Sequence, residues 1–95
     1  MDKEVIKISS IKDIYSYFIF SDWKKRFIGE ILELDYRIHK LEAMLDKTPE
    51  ERGFEFNCPR HLLEAQLETM RALSHVYEIR ARLENIEIPE VEYEI

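Results

Sequence analysis

Between Ser21 and Asp46, the residues Phe27, Ile31, Leu34, Ile38, Leu41 and Leu45 recur at alternating intervals of four and three. On an α-helix that spacing lays all of them on one narrow stripe, the seam of a coiled coil. Glu30, Glu33, Arg37 and Lys40 fall largely off the stripe, and Glu33 with Arg37 forms a favourable i,i+4 pair. A seam of this kind needs a second apolar surface, so the rest of the chain has to supply one.

The candidate partner starts at Asn57-Cys58-Pro59, because proline at the first helical position loses no hydrogen bond that the helix would have made. From there to about Ile86, Leu63, Leu67, Met70, Ser74, Tyr77 and Ala81 repeat the seam. Beside it run Leu62, Leu73, Val76 and Leu83, joined by Ala65, Ala72 and Ile79, and only Glu64, Glu68, Arg71, His75, Glu78, Arg82 and Asn85 form a solvated stripe. One partner helix does not cover so wide an apolar surface. The second helix is therefore expected to be buried on two sides, with contacts to another subunit.

Between the two helices, Thr48-Pro49 disfavours helix and Gly53 permits a turn, while Phe54 and Phe56 alternate as if folded back onto the helices. Ahead of the seam, Glu4 to Ile8 has the β-branched content of a short strand, and Ser9-Ser10 ends it. Ile11, Ile14, Tyr15, Phe18 and Ile19 then recur at helical spacing. Ser21-Asp22 offers a fresh N-cap and predicts a bend, although the propensities also allow one continuous helix from Ser10 to Asp46. Behind the second helix, Glu87, Glu90, Glu92 and Glu94 alternate with apolar residues in an extended segment. Lys3 and Lys7 would face these glutamates if the two ends paired as a small sheet, within or between subunits; the competing reading is a disordered acidic tail.

The expected fold is thus all-α: an antiparallel, coiled-coil-like two-helix hairpin preceded by a short helix, with extended segments at the termini, assembled as a homo-oligomer. Residues 1–95 form one domain, divided into an extended arm at 1–9, a short helix at 10–20, a long helix at 21–47, a loop at 48–57, a long helix at 58–86 and an acidic tail at 87–95. A chain of 95 residues buries a modest core, which is why assembly is expected.

Charge narrows the partners. Of the formal net charge of −6, residues 41–57 carry −3 and residues 86–95 carry −4, while the remainder sums to +1. No long nucleic acid is expected as a partner for such a surface, because phosphate binding asks for a basic face. The longest apolar run near the start, Tyr17 to Phe20, is too short to span a bilayer, and no secretory leader is legible, so no membrane partner is expected. Cys58, the single cysteine, has no intramolecular disulfide partner and fits a reducing, cytoplasmic location; it reads as a small buried or capping residue.

Catalytic signatures are missing. His39, His61 and His75 lack metal-site spacing, two glycines do not make a phosphate loop, and no nucleophile–base order stands out. No cofactor is implied, and the chain reads as a binder and not an enzyme. Its most suggestive group is Trp23-Lys24-Lys25-Arg26 at the start of the long helix. Unpaired amides, the positive end of the helix dipole and adjacent cations suit a small anion, and Trp23 offers a flat face for a base. Tyr15 and Tyr17 lie just upstream. Arg60, with His61, opposes the dipole of the second helix, a local cost that an anionic partner would offset. In an antiparallel hairpin Arg60 is far from Trp23, so a site using both has to cross a subunit boundary. The competing reading makes Trp23 a core residue and the cations a solvated entry turn.

From Trp23 to Leu83, the run Trp-Lys-Lys-Arg-Phe, Glu-Leu-Asp-Tyr-Arg-Ile-His-Lys-Leu-Glu-Ala-Met-Leu, a loop, then Leu-Leu-Glu-Ala-Gln-Leu-Glu-Thr-Met-Arg-Ala-Leu resembles a family of short helical-hairpin proteins of tailed bacteriophages. Its layout also looks like the building block of phage counter-defence sponges, which hold cyclic nucleotide immune signals between subunits. That resemblance implies a phage-encoded, oligomeric protein in the host cytoplasm that counters defence by sequestering a small nucleotide-like anion. The alternatives are an inhibitor or adaptor of a host defence protein acting through the acidic loop and tail, and a structural or assembly protein.

Overall fold

A computed structural model describes residues 5–19 and 22–95 of the chain. Two long helices dominate it: α2 over Trp23–Asp46 and α4 over Arg60–Leu83. Each has 24 residues, a length of about 36 Å. Ahead of α2 come strand β1 (Ile6–Ile8), a 3-10 turn (Ile11–Ile14) and the single-turn helix α1 (Tyr15–Phe18); helix α3 (Pro49–Arg52) lies in the hairpin loop, and strand β2 (Val91–Tyr93) follows α4.

The expected short helix at 10–20 is therefore a 3-10 turn followed by one α-turn, because the Asp13 carboxylate accepts from the Ser9 and Ser10 amides at 2.9 and 3.2 Å and tightens the entry. The continuous-helix alternative does not hold. Asp22 has extended backbone and its side chain accepts from the Lys24 amide at 2.9 Å, the N-cap that starts α2 afresh. Its expected companion Ser21 lies outside the described residues.

The paired seams pack as the spacing predicts. Ile38, Leu41, Leu45 and Leu67 form one buried cluster, with Leu34, Leu63 and Met70 against it. Phe27, Ile31 and Ala81 join Ile86 in a second, where Tyr77 meets Phe27 edge to face at 5.4 Å. The solvated pair Glu33–Arg37 closes at 2.8 Å, and Arg71 reaches across the hairpin to Glu42 at 3.1 Å.

A second cover on α2 was not foreseen from the spacing: Gly29, Leu32 and Tyr36 line a second buried face of α2, packed with Ile8, Ile14, Tyr17 and Phe18. A Cβ at Gly29 would stand 2.9 Å from Tyr17 Cβ, so the absence of a side chain there is what lets α1 lie on α2. Among the described residues α4 is covered on one side only.

Because α4 returns to the end where α2 begins, the tail leaves beside the N-terminal segment. Asn85 turns the chain with a positive φ of 55°, and the Ile86 amide donates back to the Ala81 carbonyl at 2.8 Å. β2 then runs alongside α2 and pairs in parallel with β1, Ile6 opposite Val91, Lys7 opposite Glu92 and Ile8 opposite Tyr93. The acidic tail is thus built into the fold. Lys3, the other cation expected to face it, lies outside the described residues.

Departures in the loop are small. α3 has a proper N-cap, Thr48, and ends at Gly53 with φ 85°. Only Phe56 reaches the helices; Phe54 stays half exposed, edge to face on Phe56, with the Arg52 guanidinium 3.8 Å from the Phe56 ring. Cys58, expected to be buried or capping, is exposed.

Candidate functional site

At the start of α2, Asp22 spends one of its carboxylate oxygens on the Lys24 amide. The cap leaves Trp23 half exposed, with the Lys24 ammonium 5.8 Å from the centre of its ring. Lys24, Lys25 and Arg26 are all exposed, whereas Phe27, one position on, is buried. Trp23 is accordingly a surface ring and not a core residue. Tyr15 is exposed to 63% and Ile19 to 70%, so the single turn before α2 presents apolar and aromatic surface to solvent. Tyr17 differs: it is half-buried and packs beside Gly29.

The opposite end of the hairpin holds Arg60. Its guanidinium donates to the Leu45 carbonyl at 2.6 Å and to the Glu64 carboxylate at 2.9 Å. Arg60 thereby satisfies the frayed carbonyl end of α2, a structural use of a cation at a helix C-terminus. It also borders the cleft of about 540 Å³ between the end of α2 and the hairpin loop, together with Lys47, Arg52, Phe56 and Cys58. Nearly the whole length of α2 separates it from Trp23 in one chain. The structure therefore brings Trp23, Lys24, Lys25 and Arg26 together, sets Tyr15 and Tyr17 on the adjoining turn, and leaves Arg60 at the far end.

A second group escaped sequence reasoning. On one side of the hairpin, Asp35, His39, Glu42, Arg71, Ser74 and His75 line an open groove of about 390 Å³. Ser74 donates to Asp35 across the helices, His39 Nδ1 donates to the Asp35 carbonyl at 2.7 Å, and the Tyr93 ring stacks on His39 at 4.8 Å. Burial pushes the Asp35 carboxyl above the usual range, and nearby Glu78 adds to the rise, while the Ser74 bond and His39 work against it. The Tyr93 hydroxyl is raised for the same first reason, burial. Periodicity marks Ser74 as a seam position with the wrong chemistry; that was the available signal. Its partner Asp35 and the ring supplied by β2 depend on tertiary pairing. This groove is a polar seam stabilised from within the chain, with more carboxylate than cationic charge, and it does not suit an anion.

Among the described residues no group of His, Cys, Asp or Glu is arranged to hold a metal ion, and no helix is long and apolar enough to cross a membrane. A protein-family model described as Sequestin matches residues 21–83, which span α2, the hairpin loop and α4 and include the whole aromatic-cationic start. No curated protein and no solved structure matches the chain.

Proposed function

The chain belongs to the Sequestin family, and from that premise we propose that it works by sequestration, holding a small, anionic, nucleotide-like signal molecule without transforming it. The family's name is consistent with sequestering a molecule. What supports the finer reading is one observation: an otherwise acidic chain exposes a tryptophan ring and three successive cations at a capped helix N-terminus. Ring and charge are the two things a nucleotide offers a binder, a stacking face and a phosphate. Trp23 would stack the base and Lys24, Lys25 and Arg26 would take the phosphate, with Tyr15 and Tyr17 extending the aromatic surface. A neighbouring copy would contribute the Arg60 end. In this reading the protein is phage-encoded, acts in the host cytoplasm as a homo-oligomer, and blunts a defence that signals through such a molecule.

The test is calorimetric titration with a panel of cyclic and linear nucleotides. Trp23→Ala and Arg26→Ala should each weaken binding about tenfold, since stacking on an aromatic side chain contributes roughly 1–3 kcal/mol per base and a hydrogen bond to a charged group roughly 1.5–3 kcal/mol. Both side chains are solvent-facing, so folding should be intact. Unchanged affinity in both variants would remove the site from consideration.

One observation favours a second reading. Glu87, Glu90, Glu92 and Glu94 are all exposed on a tail that the strand pairing holds in place. Such a fixed acidic edge would suit a basic surface of a host defence protein. Charge reversal at Glu92 and Glu94 tests it; deleting residues 87–95 would not, because the deletion also strips Ile88, Val91 and Tyr93 from the core.

A further inference from the structure

α4 carries two apolar seams, and the chain uses one. Starting from Leu62, the residues Ala65, Thr69, Ala72, Val76, Ile79 and Leu83 alternate intervals of three and four along the outer face, and every one is exposed. Leu83 is 79% exposed, Val76 49% and Ile79 41%. This is a second heptad stripe with no partner among the described residues.

We propose that this stripe is the interface with a second copy of the chain, paired antiparallel about a two-fold axis at the level of Ser74. The order of side chains along the stripe carries the argument. Past Leu62, which lies opposite position 86 and so beyond the paired layers, its first half is small (Ala65, Thr69, Ala72) and its second half is large (Val76, Ile79, Leu83). Antiparallel pairing at that level sets Ala65 on Leu83, Thr69 on Ile79 and Ala72 on Val76 of the other copy, and the symmetric layers repeat the match. Each large side chain from Val76 to Leu83 then meets a small one, which fills these layers evenly. A parallel pair would stack alanine on alanine and leucine on leucine, leaving voids at one end.

Charge agrees with the same register. Glu68 and Arg82 are exposed on the same edge of the stripe, and the antiparallel pair places Glu68 of each copy against Arg82 of the other. A single stretch of sequence thus complements itself in size and in charge when reversed, as an isologous interface requires. That self-complementarity argues for a second copy over an unrelated partner. The pairing also lays the Arg60–Leu62 end of one copy beside the Leu83 end of the other, which is the end that carries Trp23. The inference concerns assembly alone and rests on no assumption about the ligand.

Two measurements decide it. Light scattering of the wild type across the micromolar range should give a mass of two chains or an even multiple. Val76→Glu should reduce that assembly while circular dichroism stays helical. The orientation is read by disulfide cross-linking in a Cys58→Ser background. Ala65→Cys mixed with Leu83→Cys should cross-link between chains. Either variant alone should not, because the antiparallel register separates each cysteine from its own copy by about 27 Å along the axis. A monomeric wild type, an assembly indifferent to Val76→Glu, or Ala65→Cys cross-linking to itself as well as the mixture does would overturn the proposal. Should Val76→Glu unfold, the cross-linking pattern still decides.

Discussion

Ser74 donates its hydroxyl to Asp35 Oδ1 at 2.8 Å, joining a seam position in the middle of α4, where an aliphatic side chain would ordinarily stand, to a residue flanking the seam in the middle of α2. The pair is costly in charge and satisfied in geometry. Because burial holds the Asp35 pKa above its unfolded value of 3.8, the folded chain binds more protons than the unfolded one between those values. Stability from this group therefore rises as pH falls through the raised pKa and is diminished at neutral pH. Asp35→Asn retains an oxygen to accept from Ser74 and removes the buried charge, so it should stabilise the fold at pH 7, with the advantage shrinking on acidification. Ser74→Ala should cost about 1–2 kcal/mol by leaving the carboxylate without its partner. Urea unfolding at a series of pH values measures both.

The exposed cap residues run the other way. Backbone bonds from Ser9 and Ser10 hold the Asp13 carboxyl below its ordinary value, and the Thr48 amide does the same for Glu51. Their stabilisation is present above the unfolded pKa values and is lost as pH falls through the lowered ones. Asp13→Asn should accordingly flatten the acid limb of the stability profile without altering the region where Asp35 titrates.

Gly29 separates two opposing effects. Alanine gains about 1 kcal/mol of helix propensity over glycine. Its Cβ, however, would meet Tyr17 Cβ at 2.9 Å, and that atom is anchored next to the backbone. Overpacking of this kind costs about 1–3 kcal/mol, so Gly29→Ala should be neutral to destabilising and should displace the turn carrying Tyr15 and Tyr17. Hydrogen exchange over residues 15–18 would rise even where the global loss is small.

β2 should prove structural. Tyr93 stacks on His39, lies 6.4 Å from the Tyr36 ring and donates to the Leu32 carbonyl at 3.4 Å. Tyr93→Ala should cost about 2–3 kcal/mol, toward the lower end of aromatic truncations because the ring is only half-buried. Glu92→Lys and Glu94→Lys, both exposed, should stay within about 0.5 kcal/mol of wild type. Thermal melts of the three variants separate a tail that holds the fold from one that only carries charge.

These contrasts show where the sequence was informative. The Phe27-to-Leu45 seam and its partner around Leu67 were legible because helical periodicity is local. So was the N-cap at Asp22, which decides against a continuous helix. The second buried face of α2 was not. Gly29, Leu32 and Tyr36 acquire their meaning only when β1, α1 and the tail fold over them, and that packing joins residues at opposite ends of the chain. For the same reason the pairing of Ile6 with Val91 was foreseeable as a possibility, but neither its parallel sense nor its partner chain was. At the candidate site, Trp23 to Arg26 stood out by composition. Arg60 did too, but its bond to the Leu45 carbonyl depends on the hairpin closing.

Sequestration, the central claim, is most directly tested by native mass spectrometry of the protein mixed with cyclic and linear nucleotides, followed by release of whatever is bound by heat. The account predicts an assembly that gains nucleotide mass in fixed stoichiometry and returns the same molecule chemically unchanged. An assembly that gains no mass from any of them, or one that releases a converted product, would contradict it.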